Sequence, residues 1–205
     1  MNTAQKISRM AEKSGPSRSP SFTGAHILIA LEIIGSTLGV GRQQLARELG
    51  IGEGATRTLV KRLKDEGLIE ISRGGMRLTG RGADMLSNII KKMRSAKLGE
   101  TGITVGRNNF AVLVKGTAEY VRNGVEQRDS ALLVGARGAT TLTYRNSHLT
   151  MPGMGVAIHQ ELEDELISKL KPDEGDALII GTADAPLMAE LGAKAAALEL
   201  IDKRA

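Results

Sequence analysis

Two short alternating segments, Leu68-Ile69-Glu70-Ile71-Ser72 and Met76-Arg77-Leu78, flank Arg73-Gly74-Gly75, and they follow directly on a helix-length stretch with a cationic polar face. Period-two alternation marks strands, and glycine tolerates the positive φ of tight turns, so the stretch predicts a β-hairpin with a glycine tip. The segments around it narrow the fold further. From Ala25, the apolar residues Ile27, Leu28, Leu31, Ile34 and Leu38 recur at helical spacing, and Gly35 and Gly39 loosen the end. Arg42 to Leu49 predicts a second helix with Leu45, Ala46 and Leu49 on one face, stopped at Gly50, with Ile51 filling the turn. A third runs from Glu53 to Glu66, entered through Gly52, ended by Gly67, with Thr56, Leu59, Val60 and Leu63 inward. Thr79 caps a fourth helix, in which Leu86, Ile89, Ile90 and Met93 repeat at three and four residues and Lys91, Lys92 and Arg94 lie outside. The resulting order is helix, helix, helix, hairpin, helix, which few other small folds share.

The third helix presents Arg57, Thr58, Lys61, Arg62 and Lys64 on its polar stripe, with Asp65 and Glu66 confined to its end. On periodicity alone, such residues do no more than solvate a helix. The hairpin that follows turns the reading toward DNA, because a third helix set between a helical turn and a two-stranded hairpin is placed to enter the major groove. Arg73 and Arg77 on the hairpin are then placed to approach a DNA backbone or minor groove.

Charge divides along the chain in the same sense. The 205 residues carry a net +5, but residues 24–94 hold 12 basic and 7 acidic side chains while residues 95–205 hold 12 and 15. A basic module joined to a mildly acidic one fits a DNA-binding domain with a separate sensing or assembly domain, since phosphate neutralisation drives non-specific affinity. The length suits two compact domains. Cysteine is absent and no apolar stretch reaches the roughly 20 residues that span a bilayer, so a soluble, cytoplasmic protein is expected. Residues 1–23, with Pro16 and Pro20 among Lys, Arg, Ser and Gly, read as a mobile basic arm.

On these residues the chain resembles winged-helix transcriptional regulators. The resemblance rests on Gly41-Arg42-Gln43-Gln44-Leu45-Ala46-Arg47-Glu48-Leu49, Ala55-Thr56-Arg57-Thr58-Leu59-Val60-Lys61-Arg62-Leu63, Glu66-Gly67-Leu68-Ile69 and Leu78-Thr79-Gly80-Arg81-Gly82, and it covers residues 24–94. The whole chain is similar to small archaeal regulators that join such a domain to a C-terminal domain of unknown function. That match rests on Pro20-Ser21-Phe22-Thr23, on Asn123-Gly124-Val125-Glu126-Gln127-Arg128-Asp129 and on Gly138-Ala139-Thr140-Thr141. The resemblance implies transcriptional regulation and supplies no ligand. It makes Arg57, Thr58, Lys61 and Arg62 candidate groove contacts, Arg73 and Arg77 wing contacts, and Arg42 and Gln43 phosphate contacts at a helix start. Arginine pairs with guanine in two places at once, so Arg57 or Arg62 is the expected specificity residue and Lys61 a positioning one. The chain departs from the commonest pattern at Gly52 and Gly54, where Ser or Thr often caps the recognition helix.

Beyond a linker expected over residues 95–109, interrupted by Gly99, Gly102 and Gly106, a second domain begins at Phe110. Phe110 to Val114 predicts a buried strand, and Asn123 with Glu126 a helix start ahead of Val125, Leu132 and Ala136, closed by Gly138. Thr140 to Tyr144 and Leu149 to Met151 bracket the turn Asn146-Ser147 as a hairpin. Glu163 to Leu170 is helical, Ala177 to Ile180 is a buried strand, and Asp184 to Lys203 is an Ala-rich closing helix. The expected fold class is α+β: an N-terminal winged helix-turn-helix plus a C-terminal α/β sandwich over residues 110–205, split βαβ in order, with strand order open and a doubly wound sheet as the alternative.

In that half, Arg122, Asn123, Glu126, Arg128 and Asp129 gather at a helix N-terminus, where anions are attracted, so they are candidate ligand-binding residues for a small anionic effector. The plainer reading is a capping box with surface salt bridges. Gly181-Thr182-Ala183-Asp184 lacks the residues of a phosphate-binding loop. His26, His148 and His159 form no metal motif, the acidic run Glu161, Glu163, Asp164 and Glu165 reads as a solvated face, and no catalytic constellation assembles. No cofactor, metal or enzymatic activity is expected. Two Phe, two Tyr and no Trp leave little to stack single-stranded bases, which favours duplex DNA. The expectation is a homodimeric, sequence-specific DNA-binding regulator with a C-terminal sensing or dimerisation domain. Its rivals are a metabolic enzyme carrying a DNA-binding domain and a constitutive or chromatin-associated DNA-binding protein.

Overall fold

The computed structural model describes residues 2–12, 21–154 and 156–204, and divides into two compact units, residues 1–90 and 91–205. The first unit runs α1 (Thr3–Ala11), α2 (Gly24–Ser36), α3 (Arg42–Leu49), α4 (Glu53–Asp65), β1 (Ile69–Ser72), β2 (Gly75–Leu78) and α5 (Gly80–Ile90). This is the expected winged helix-turn-helix order with one helix added in front. Gly50 ends α3 in the left-handed conformation, and Gly52 sits at the N-cap of α4. Thr79 caps α5 as expected, its hydroxyl accepting from the Gly82 amide at 3.1 Å while donating to the Gly67 carbonyl at 2.7 Å.

Residues 3–11 correct the expectation of a mobile arm; residues 13–20, with Pro16 and Pro20, lie outside the described residues. Asn2 and Gln5 form a capping box, and Ala4, Ile7 and Met10 are buried. Full burial of a side chain such as Ile7 is worth about 1.5–3 kcal/mol, enough to hold a short helix that would fray alone. The helix packs against α2, α4 and α5. It explains why α2 is apolar on nearly every face: Ala25 to Leu31 are all buried, which a helix covered on one side would not need.

The tip of the hairpin is locked onto the α2–α3 connection. Gly39 (φ 75°) and Gly75 (φ 101°) meet backbone to backbone, so a Cβ on either would overlap the other segment, and the Met76 amide donates to the Val40 carbonyl at 2.9 Å. The wing therefore carries a third extended segment through the Val40–Met76 bridge.

His26 is buried at the start of α2, and its Nδ1 accepts from the Thr23 amide at 3.1 Å. Burial holds its pKa below the ordinary 6.5 because desolvation disfavours the imidazolium. The unfolded chain therefore takes up this proton first, so the contribution is complete above about 6.5 and is lost as pH falls toward the lowered folded value. His26→Gln, which keeps an acceptor for the Thr23 amide and cannot titrate, is expected to flatten the loss of stability on that acid limb. Urea unfolding at stepped pH measures it.

The second unit is built on one six-stranded sheet of β3 (Met93–Leu98), β4 (Asn108–Val114), β5 (Gly138–Arg145), β6 (His148–Met151), β7 (Val156–Ala157) and β8 (Ala177–Ala183), in the order β3-β4-β8-β5-β6-β7. Every pairing is antiparallel, which excludes the doubly wound alternative. The helices are α6 (Val125–Leu133), α7 (Gln160–Leu170) and α8 (Pro186–Lys203). β4 and β5 flank β8, and α6 connects them, so the split βαβ order is present. α8 packs on β4 and β8, and α6 packs on β5 and α8. Leu113, Leu142, Leu178 and Ile180 form a core with Leu166 and Leu170 of α7. Gly181 brings α8 close to the sheet, because a Cβ there would overlap the Ala189 carbonyl and the Ala193 amide.

The expected linker over residues 95–109 and the extension of the fourth helix to Met93 are both corrected. α5 stops at Ile90, and Met93 opens β3, paired from Met93↔Val114 to Leu98↔Asn109. The glycine-rich stretch after β3 is tied down by side chains remote in sequence: Thr140 donates to the Ile103 carbonyl at 2.7 Å, and Thr182 accepts from the Gly106 amide at 2.8 Å. α6 ends at Leu133, with Gly135 left-handed, and Gly138 begins β5 rather than closing the helix. The turn at Asn146-Ser147 has positive φ at both residues, as its hairpin demands.

Candidate nucleic-acid interface

α4 buries Thr56, Leu59, Val60 and Leu63 and leaves Arg57, Thr58, Lys61 and Lys64 exposed. Thr58 is half committed, its hydroxyl donating to the Gly54 carbonyl at 3.1 Å within the helix. The start of α3 and the start of α4 border one small cavity of about 100 Å³ lined by Arg42, Gln43, Glu53, Thr56 and Arg57. Two helix starts therefore bring two arginines to the same place as the Glu53 carboxylate; the arginines and the helix N-termini attract a phosphate and the carboxylate opposes it. Arg73 at the hairpin turn and Arg77 on β2 are exposed, with Arg77 opposite Glu70 in the ladder. Ser72 shapes the turn, its hydroxyl accepting from the Gly74 amide at 3.2 Å.

Arg62 departs from the expected set of groove contacts. Its guanidinium donates to the Met10 carbonyl and, at 2.8 Å, to the Glu12 carbonyl at the end of α1, and it lies 5.3 Å from the centre of the Phe22 ring. A cation at a helix C-terminus and over an aromatic face is stabilised on both counts. The side chain secures α1 rather than reaching toward a base. Arg62→Ala is therefore expected to speed proteolysis near residue 12 of the full chain at least several-fold, and Arg57→Ala to leave that rate unchanged; limited digestion with mass readout compares them. The sequence signal for α1 was Asn2 and Gln5 followed by Ala4, Ile7 and Met10 at helical spacing.

The five candidate ligand residues of the second unit separate. Asn123 and Arg128 line a cavity at the start of α6. Asn123 accepts from the Val125 amide at 3.1 Å, so it shapes the turn while Gly124 occupies the N-cap. Glu126 does not close a capping box; it pairs with Lys203 of α8, whose hydrogen bond holds the Glu126 carboxyl below its ordinary range. Arg128 and Asp129 form an exposed pair at 3.3 Å, and Arg122 is exposed. Sequence reasoning missed Thr140, Thr141 and the Met151–Met154 segment on the same cavity, because they reach it only through β5 and β6. Glu163, read as part of a solvated acidic face, is buried and accepts from the Leu149 amide at 2.5 Å. Among the described residues no group of three His, Asp or Glu could hold a metal ion, and no helix is long and apolar enough to cross a membrane.

Three comparisons bear on this geometry. Residues 27–93 match the family model of the CggR N-terminal DNA binding domain, and residues 105–200 match a domain of unknown function, DUF4443. Among solved structures, the chain is similar to hypothetical protein PH0730 from Pyrococcus horikoshii OT3, at 26% identity and a TM-score of 0.72, covering 89% of this chain and 94% of that one. No curated protein matches. Apart from residues 91–93, the first match falls within the first unit and the second match within the second, so the first unit is a winged helix-turn-helix similar to a regulator's DNA-binding domain and the second an α+β unit similar to a domain of unknown function.

Proposed function

We propose that the chain is a sequence-specific transcriptional regulator that binds duplex DNA through α4 and the β1–β2 wing, and that its second unit supplies dimerisation or the sensing of a small anionic effector. The observation that carries this is the exposed cationic edge of α4, with Arg57 beside Arg42 of α3 and Lys61 one turn further along, on a unit similar to a regulator's DNA-binding domain. One recognition helix covers a half-site, so a homodimer on a two-fold operator follows. Exposed apolar side chains on α6, Leu132 (46%) and Leu133 (85%), together with Ile90 on α5, support surfaces for it. The similarity to a Pyrococcus protein supports the archaeal affinity of the chain. A regulator, rather than an enzyme, is the role that these features favour.

The test is duplex binding across a salt series with a genomic site recovered by immunoprecipitation and a scrambled control. Association with both is expected to weaken steeply as salt rises, in proportion to the phosphates contacted, with the genomic site retained at salt where the scrambled duplex is lost. Binding that is insensitive to salt, or equal on both duplexes throughout, refutes the reading.

A further inference from the structure

We propose that the cavity at the start of α6 is the binding site of a small amphipathic monocarboxylate, one carboxylate on an apolar body. This deepens the sensing role and rests on it only for the consequence at DNA; the binding itself does not depend on that role. The cavity encloses about 420 Å³ between α6, β5 and the segment after β6, within the range of small-molecule sites. Its wall combines one cationic side chain, Arg128, with apolar surface from Val125, Met151, Pro152 and Met154. Part of that apolar surface faces solvent, with Val125 39% and Met154 73% exposed.

Three observations select the ligand class. First, Arg128 is the charged residue on the wall, and although it pairs with Asp129 at 3.3 Å, both side chains are more than half exposed, so that pair is weak and is exchanged for a ligand carboxylate at little cost. A single planar guanidinium matches one carboxylate in two hydrogen bonds, whereas a phosphate dianion would call for more cations. The nearby acid, Glu126, is already neutralised by Lys203 and does not repel an anion. Second, α6 begins on this wall through Gly124 and Val125, so the partial positive charge of its N-terminus faces the same space. Third, and independent of the helix, Thr141 lines the cavity while 5% exposed, and its hydroxyl has no hydrogen-bond partner among the described residues. A buried hydroxyl left unpaired is costly, and few native groups are left so without a reason. A carboxylate oxygen seated at the start of α6 supplies the missing acceptor, and the methionines adapt to the apolar body.

The test uses the full chain with hexanoate and phenylacetate as probes and inorganic phosphate as the bare anion. Calorimetry and melting temperature are read for wild type, Arg128→Ala, Thr141→Val and Met154→Asp, all without DNA. Either carboxylate is expected to raise the melting temperature with the logarithm of its concentration, and phosphate to leave it unchanged. Thr141→Val removes a hydroxyl that has no partner, so the ligand-free protein is expected to melt no lower than wild type, while carboxylate affinity falls at least tenfold. Arg128→Ala and Met154→Asp are expected to lose the shift, and these two exposed positions decide if Thr141→Val does not fold. The proposal is overturned by no carboxylate response, by an equal response to phosphate, or by variants that bind as wild type does. A carboxylate that binds through Arg128 but leaves duplex affinity unchanged keeps the site and refutes the sensing role. Duplex binding with no carboxylate response refutes the site and leaves the DNA-binding reading standing.

Discussion

Gly181→Ala is expected to be the most damaging single-methyl change in the second unit. The added carbon would meet the Ala189 carbonyl and the Ala193 amide, backbone groups of α8 that no rotamer can move aside. α8 packs on β4 and β8 with Ala189, Ala193, Ala196 and Ala197 buried, so the helix must lift from the sheet as a body and open voids along its length. Overpacking commonly costs about 1–3 kcal/mol, and a clash with two backbone groups of one helix places this one at or above about 3 kcal/mol. Differential scanning calorimetry of the full chain should show the transition of the second unit lowered by many degrees. A melting temperature within a degree of wild type would show that the close approach of α8 is not tight.

The second large effect concerns DNA. Arg57→Ala is expected to lower affinity for the genomic site by about 1–3 kcal/mol while barely changing affinity for a scrambled duplex, because a base contact carries discrimination. Lys61→Ala should weaken both duplexes alike and make the salt slope shallower by about one, because a phosphate contact carries none. Parallel losses on both duplexes from both variants would refute this division of roles. Arg62→Ala is the informative companion: its guanidinium is held by α1, so any loss of affinity should track the loss of that helix rather than a changed base preference.

These predictions also separate what was legible from what was not. The succession from α2 to α5 with the wing was readable residue by residue, since each boundary is made locally: Gly50 and Gly67 turn left-handed, Thr79 caps α5, and Arg73-Gly74-Gly75 makes the turn. The split βαβ order of the second unit was readable for the same reason, from the apolar run at Phe110 to Val114 and the turn at Asn146-Ser147. The error at Met93 arose because its four- and seven-residue spacing from Ile89 and Leu86 is helical, while its actual partner, Val114, lies across a loop. The cationic stripe of α4 was likewise visible in outline, but the commitment of Arg62 to carbonyls 50 and 52 residues earlier was not.

Local chemistry was therefore sufficient for the kind of fold and for the cationic face of α4, because caps, turns and amphipathic periods are written within a few neighbouring residues. Tertiary packing alone decided that residues 3–11 are a helix of the first unit, that Met93–Leu98 is a strand rather than a linker, and which side chains meet at the cavity beside α6. Each of those depends on a partner far along the chain. Hydrophobic burial and hydrogen bonding act between whichever surfaces the fold brings together, and a linear pattern shows that a residue needs a partner without showing which one it finds.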